Sequence, residues 1–200
     1  MSGFDDGVMV GETKMDAKVL FREAQIDERV ATLAKEIAAD YAPKGGLHTV
    51  TVLNGALHFA SALRFAVSKA NPGLGFNMTS DTIHLASYHG TESTNEVKKI
   101  SDLTHSVEGK HVLIVEDIVD TGKTLSVLVA ELKAQKPASL AIVVLLRKPS
   151  KLAVSADALG DKIYAGFDIG PEFVVGHCFD YDGKFRDVPD IYALSPAAEQ

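Results

Sequence analysis

The stretch His111–Thr124, HVLIVEDIVDTGKT, decides how this chain folds. Val112, Leu113, Ile114 and Val115 form an unbroken apolar run, the pattern of a strand buried on both faces rather than one with a solvated side. Glu116 and Asp117 close the run, Asp120 follows, and Thr121-Gly122-Lys123-Thr124 leads into LSVLVAELKAQ, whose apolar residues recur at helical spacing. This is a strand, a loop and a helix start. In an open α/β sheet the carboxyl end of such a strand is where ligands bind.

The chemistry of the loop narrows the ligand. Gly122 lets the backbone come close, Thr121 and Thr124 offer hydroxyls, and amides of residues 122–125 at a helix N-terminus suit a phosphate. Glu116 and Asp117 repel a phosphate, but they accept hydrogen bonds from sugar hydroxyls and suit Mg²⁺, a hard cation that prefers oxygen. Gly122-Lys123-Thr124 matches the end of the nucleotide P-loop. Asp117 stands where that motif needs its first glycine, however, so the P-loop reading is set aside. The combination fits a ribose phosphate with metal-bound pyrophosphate nearby.

Outward from this stretch, Ile26, Val30, Leu33, Ile37 and Tyr41 follow helical spacing, and Pro43, Gly45 and Gly46 end that helix. His48–Leu53 reads as a buried strand, Ala56–Lys69 as a helix, Phe76–Tyr88 as a strand, Glu96–Ile100 as a return strand and Ala138–Leu146 as another buried strand. Strands alternating with helices predict an open, mostly parallel twisted α/β sheet flanked by helices. Residues 1–18 show no period and read as a flexible arm, residues 19–200 as one domain, and about 147–194 as a hood over the sheet.

Two hundred residues, 46% of them hydrophobic, suffice for one sizeable core. A net charge of −7 argues against a general nucleic-acid surface, and no run of about 18 apolar residues predicts a membrane span. The single cysteine, Cys178, and an acidic N-terminus without an apolar signal core point to the cytoplasm. His84, His105 and His177 lack zinc-ligand spacing.

VLIVEDIVDTGKT resembles the signature of the type I phosphoribosyltransferases, and most of all their hypoxanthine-guanine branch. LNGALHF, SYHGTESTNEVKKI, LLRKPSK and PEFVVGHCFDYDGKFRDVPDIYAL extend the similarity, in the family's order, over roughly residues 50–194. The resemblance implies that fold with a small hood from both termini. It also implies transfer of a phosphoribosyl group from phosphoribosyl pyrophosphate to a 6-oxopurine, with Mg²⁺ and as a homodimer or homotetramer. The alternatives it leaves are another base (xanthine, adenine or uracil), or a regulator of the same fold that senses phosphoribosyl pyrophosphate.

The resemblance assigns roles residue by residue. Glu116 and Asp117 hold the ribose hydroxyls directly or through Mg²⁺, and Asp120 acts near purine N7 as general base or acid, a role compatible with capping the next helix. Asp120, Thr121, Gly122, Lys123 and Thr124 cradle the 5′-phosphate, Lys123 through its ammonium or its amide alone. Lys148 donates to the purine 6-oxo group, with Arg147 one position away; the alternative is that Arg147, Lys148 and Lys151 form a surface basic cluster. Phe173 stacks on the purine, the Val174 backbone reads its edge, and Asp180 attends a second Mg²⁺. Leu53, Asn54, Gly55 and Arg186 hold pyrophosphate, and Ser87-Tyr88 begins a mobile loop over the site. Asn54 stands where the family has Lys or Arg, which implies weaker pyrophosphate binding, and His89 where it commonly has Gly.

Overall fold

The computed structural model describes residues 8–10, 13–71, 77–87, 97–99 and 103–196. In chain order its elements are β1 (Val8–Val10), β2 (Thr13–Phe21), α1 (Glu23–Tyr41), β3 (Gly46–Leu53), α2 (Leu57–Ala70), β4 (Asn77–Ser87) and β5 (Val97–Lys99). They continue as β6 (His111–Val119), α3 (Lys123–Ala134), β7 (Ser139–Arg147), β8 (Lys162–Asp168), β9 (Phe173–Val175) and β10 (Ile191–Pro196). The main sheet runs β4-β3-β6-β7-β8 with every neighbour parallel, and β5 adds antiparallel to β4.

The signature strand lies in the middle of this sheet, which explains its unbroken apolar run. Val112 and Ile114 of β6 pack with Leu140, Ile142 and Val144 of β7 against Leu125, Leu128, Val129 and Leu132 of α3. Leu113 and Val115 pack on the other face with Ala141, Val143 and Leu145 against α1 and α2, through Ile26, Leu33, Ile37, Phe59 and Leu63. Alternate residues of one strand thus feed two cores. Truncating a fully buried leucine such as Leu128 to alanine costs about 2–5 kcal/mol in such a setting.

A second sheet, β1-β2-β10-β9, is antiparallel throughout and joins the two ends of the chain. It corrects the reading of residues 1–18 as a loose arm, because Thr13–Phe21 is a strand paired to β10. The signal is an alternation: Lys14, Asp16 and Lys18 are exposed, while Met15, Ala17 and Val19 turn inward against Tyr192 and Leu194. The hood therefore draws on both termini. Within 147–194, Lys162–Asp168 belongs instead to the main sheet, as its edge strand. Phe76, Tyr88 and the turn after Asn71 lie outside the described residues. Among the described residues no helix is long and apolar enough to cross a membrane.

Candidate active site

The carboxyl ends of β3, β6 and β7, with the turn after β9, gather most of the residues singled out in the sequence. Glu116 and Asp117, both half-buried, lie near the end of β6, which runs on to Val119, so they stand on the strand and not in the loop after it. The Asp117 amide donates to Glu116 Oε1 at 3.2 Å, and the Ile118 amide to Asp117 Oδ1 at 2.8 Å. Burial, reinforced by the charge of Asp117, pushes the Glu116 carboxyl well above the usual range. Burial also raises Asp117, with hydrogen bonds and the nearby Arg186 guanidinium opposing it. Two adjacent carboxylates in this setting want a cation.

The turn after β3 closes on the same pair. A Cβ at Gly55 would lie 1.7 Å from Asp117 Oδ2, so only glycine admits the carboxylate there. The Leu53–Asn54 peptide is cis, and Asn54 is exposed beside it. Gly55 thus abuts Asp117 directly, with Leu53 and Asn54 preceding it in the same turn.

Beyond β6 the loop turns through Gly122, whose φ of +77° is left-handed and whose missing Cβ would meet Val154 Cγ2 at 2.7 Å. Gly122 is the N-cap of α3, so Asp120 does not cap that helix, as the sequence allowed. The ladder of α3 begins with the Ser126 amide on the Gly122 carbonyl, which leaves the amides of residues 123–125 without partners along the helix. The Lys123 amide makes only a long contact of 3.5 Å to Thr121 Oγ1. Lys123 is exposed and Thr124 half-buried beside it. Amides left open in this way at a helix N-terminus have the chemistry that suits a phosphate.

Asp120 is engaged instead by two lysines: Lys148 Nζ at 3.0 Å and Lys151 Nζ at 2.8 Å both donate to its Oδ2. Its Oδ1 is buried with no hydrogen-bond partner. Burial disfavours the charged carboxylate, but the donors Lys151 and Lys148 outweigh it and hold Asp120 below the usual range. Lys148 is 5% exposed, whereas its neighbour Arg147 turns outward into a two-pronged pair with Asp168, at 2.7 and 2.9 Å. Strand alternation therefore separates the two cations that adjoin in sequence. Lys151, which the sequence reading gave no role at the site, meets the same carboxylate.

On the hood side, Phe173 is 48% exposed and meets Tyr181 edge-on, with ring centroids 5.4 Å apart. Tyr181 is itself exposed. Val174 lies buried behind them, paired to Ala193. Arg186 donates to Asp180 Oδ1 and to the Cys178 carbonyl, and the Gly183 amide donates to Asp180 Oδ2 at 2.7 Å. Asp180 thus orients Arg186, and no cluster of three or more His, Cys, Asp or Glu side chains converges as a metal cage among the described residues. The donor set nevertheless fits Mg²⁺, which is usually held by one or two carboxylates together with substrate phosphates. Ser87 ends β4 opposite Val97; Tyr88 lies outside the described residues.

Comparison with known proteins identifies the family and the fold. The family model for the phosphoribosyl transferase domain matches residues 18–176. The hypoxanthine-guanine phosphoribosyltransferase of Bacillus subtilis is 38% identical over 183 residues, which cover 90% of this chain and 94% of that protein. The bifunctional protein TilS/HprT of Listeria innocua is 40% identical over 182 residues, 90% of this chain; the chain spans only 26% of that relative's length. Among solved structures, a hypoxanthine phosphoribosyl transferase of Trypanosoma cruzi superimposes with a TM-score of 0.81 at 35% identity, covering 94% of this chain and 95% of its own.

Proposed function

Because the chain belongs to the phosphoribosyltransferase family, we propose that it transfers the 5-phosphoribosyl group of phosphoribosyl pyrophosphate to a 6-oxopurine. The acceptor is hypoxanthine, guanine or both, the product IMP or GMP accordingly, and the role is purine salvage. The pairing of Asp120 with the buried Lys148 carries this reading, because it sets a proton acceptor beside a pure donor at one end of the sheet. Lys148 has only N–H groups to offer, so it favours a 6-oxo oxygen over a 6-amino group.

In the reaction the bond from C1′ to the pyrophosphate oxygen breaks as a bond forms from C1′ to a purine ring nitrogen. Asp120, held ionised by its lysines and with its side chain partly exposed, accepts the ring proton. The amides at the start of α3 bind the 5′-phosphate, and Glu116 and Asp117 hold the ribose hydroxyls. Phe173 offers its exposed ring to the purine and the Val174 backbone its edge. Arg186 and the Leu53-Asn54-Gly55 turn receive pyrophosphate. Bound between Glu116, Asp117 and the substrate's phosphates, Mg²⁺ would neutralise the charge gathering on the leaving group.

A steady-state assay with phosphoribosyl pyrophosphate, Mg²⁺ and a panel of bases tests the reading. Turnover with hypoxanthine or guanine, and none with adenine or uracil, is the expected result; no turnover with any 6-oxopurine overturns it. Self-association into a homodimer or homotetramer belongs to the same proposal. Leu57 and Phe65 of α2, 57% and 69% exposed, support it, and a monomer mass in sedimentation equilibrium would overturn it.

A further inference from the structure

Asp120 is held from two sides by side chains of different character. Lys148, directly after β7, is buried; Lys151, in the 3-10 turn Pro149–Lys151, has a side chain 39% exposed. Both donate to the same oxygen, Oδ2. Backbone hydrogen bonds stitch their segment to the loop on either side of Asp120. The Lys148 amide donates to the Val119 carbonyl at 2.9 Å and the Ala153 amide to the Thr121 carbonyl at 3.0 Å. The Lys151 amide closes back on the Lys148 carbonyl at 3.0 Å. Lys151 is therefore fixed at its base, although its side chain is partly solvated.

The proposed function gives Lys148 two claimants. When a purine enters, its exocyclic oxygen draws the Lys148 ammonium, and Asp120 loses one of its two donors. A carboxylate on a loop, left with a weaker hold, can turn away from the ring proton it must accept, and small misplacements of a reacting group are costly. We propose that Lys151 is a positioning residue that keeps Asp120 oriented toward the purine while Lys148 is occupied by the base. Lys151 touches no reacting atom; it acts through Asp120. The division follows burial. The buried lysine is the one with a desolvated ligand atom to meet, and the half-exposed one keeps a permanent partner.

The test rests on the reading of the site as a 6-oxopurine phosphoribosyltransferase, and it compares Lys151→Gln with Lys151→Arg in the full chain. In Lys151→Gln we expect kcat to fall about tenfold to hundredfold, with KM for phosphoribosyl pyrophosphate changed less than about twofold. The acid limb of the kcat/KM profile should move to higher pH, because Asp120 then binds its proton more readily. Lys151→Arg, which keeps the cation, should restore both. Lys148→Gln should differ by raising KM for the purine. Wild-type kcat and an unmoved acid limb in Lys151→Gln overturn the role. So does a failure of Lys151→Arg to rescue while its circular dichroism spectrum is unchanged. An absence of turnover in the wild-type chain overturns the reaction itself, and with it any role in it. A carboxyl ¹³C titration of Asp120 in the ligand-free protein separates the cases. A higher midpoint in Lys151→Gln shows the contact standing whatever the reaction proves to be.

Discussion

Glu116 and Asp117 sit near the end of β6, and Asp120 sits three residues further along the chain, yet the protein treats the two sites in opposite ways. The first pair is half-buried, shares its hydrogen bonds internally and is pushed toward the neutral form. Asp120 meets two ammonium groups and is held ionised. Titratable groups whose surroundings drive them apart mark a division of labour. The pair is incomplete without a cation and so suits a ligand that brings one. Asp120 carries its own cations and is ready to take a proton before any ligand arrives.

Removing the ionised member should have the largest effect. Asp120→Asn keeps the shape but cannot accept a proton, so kcat should fall about 10²- to 10⁴-fold with little change in KM for phosphoribosyl pyrophosphate. Near-normal turnover would remove Asp120 from the mechanism and erase the contrast. Gly55→Ala attacks the other side. Its methyl group would occupy the place of the Asp117 carboxylate, so KM for phosphoribosyl pyrophosphate should rise about tenfold or more. The acid limb set by Asp120 should stay where it is. An unchanged KM would show that Asp117 is not held against the turn in solution.

The contrast should also be visible in stability. Asp120 has a depressed folded pKa, so its contribution is present above the usual aspartate range and is lost as pH falls through the folded value. Glu116 has a raised folded pKa, so the ligand-free protein loses stability as pH rises from the usual glutamate range through the raised value. Glu116→Gln should therefore stabilise the ligand-free chain near pH 8, on the order of 1 kcal/mol or about 2–4 °C in Tm, and do nothing near pH 4. The same change should weaken the thermal shift that Mg²⁺ with phosphoribosyl pyrophosphate produces. A Tm gain that is equal at both pH values would assign the effect to something other than the buried charge.

The positions of the three acids were legible in the sequence, because local pattern carries them; their opposite titration was not. An apolar run ending in acids followed by a Thr-Gly turn specifies a buried strand, its carboxyl end and a helix start, and β6 and α3 follow that reading. What escaped was non-local. Nothing near Lys151 announces Asp120, since the contact spans 31 positions and depends on how a turn folds back. Arg147 and Lys148 look interchangeable until strand alternation sends one to Asp168 and the other inward. The strand at Thr13–Phe21 does carry an alternation, but charged residues on one side and Ala17 on the other mute it, and its partner β10 lies at the far end of the chain.

The smallest effect expected lies beside the carboxylate pair alone. Asn54 occupies the turn position where the family resemblance calls for a cation, and it is exposed beside the Gly55 that abuts Asp117. Asn54→Lys adds a charge at the rim, where solvent screens it, so its worth is about 0.5–1 kcal/mol, a factor of roughly two to five. The pyrophosphate inhibition constant should fall by that factor at low salt and less at high salt. Because position 54 adjoins the Gly55 that abuts Asp117, the new cation should also favour the charged form of the carboxylate pair and lower the pH at which Mg²⁺-dependent binding sets in. The Asp120 limb of the pH profile should not move. A pyrophosphate constant that is unchanged or weaker would mean that the turn binds through its amides alone, and that the carboxylate pair depends on the substrate's metal for all of its compensating charge.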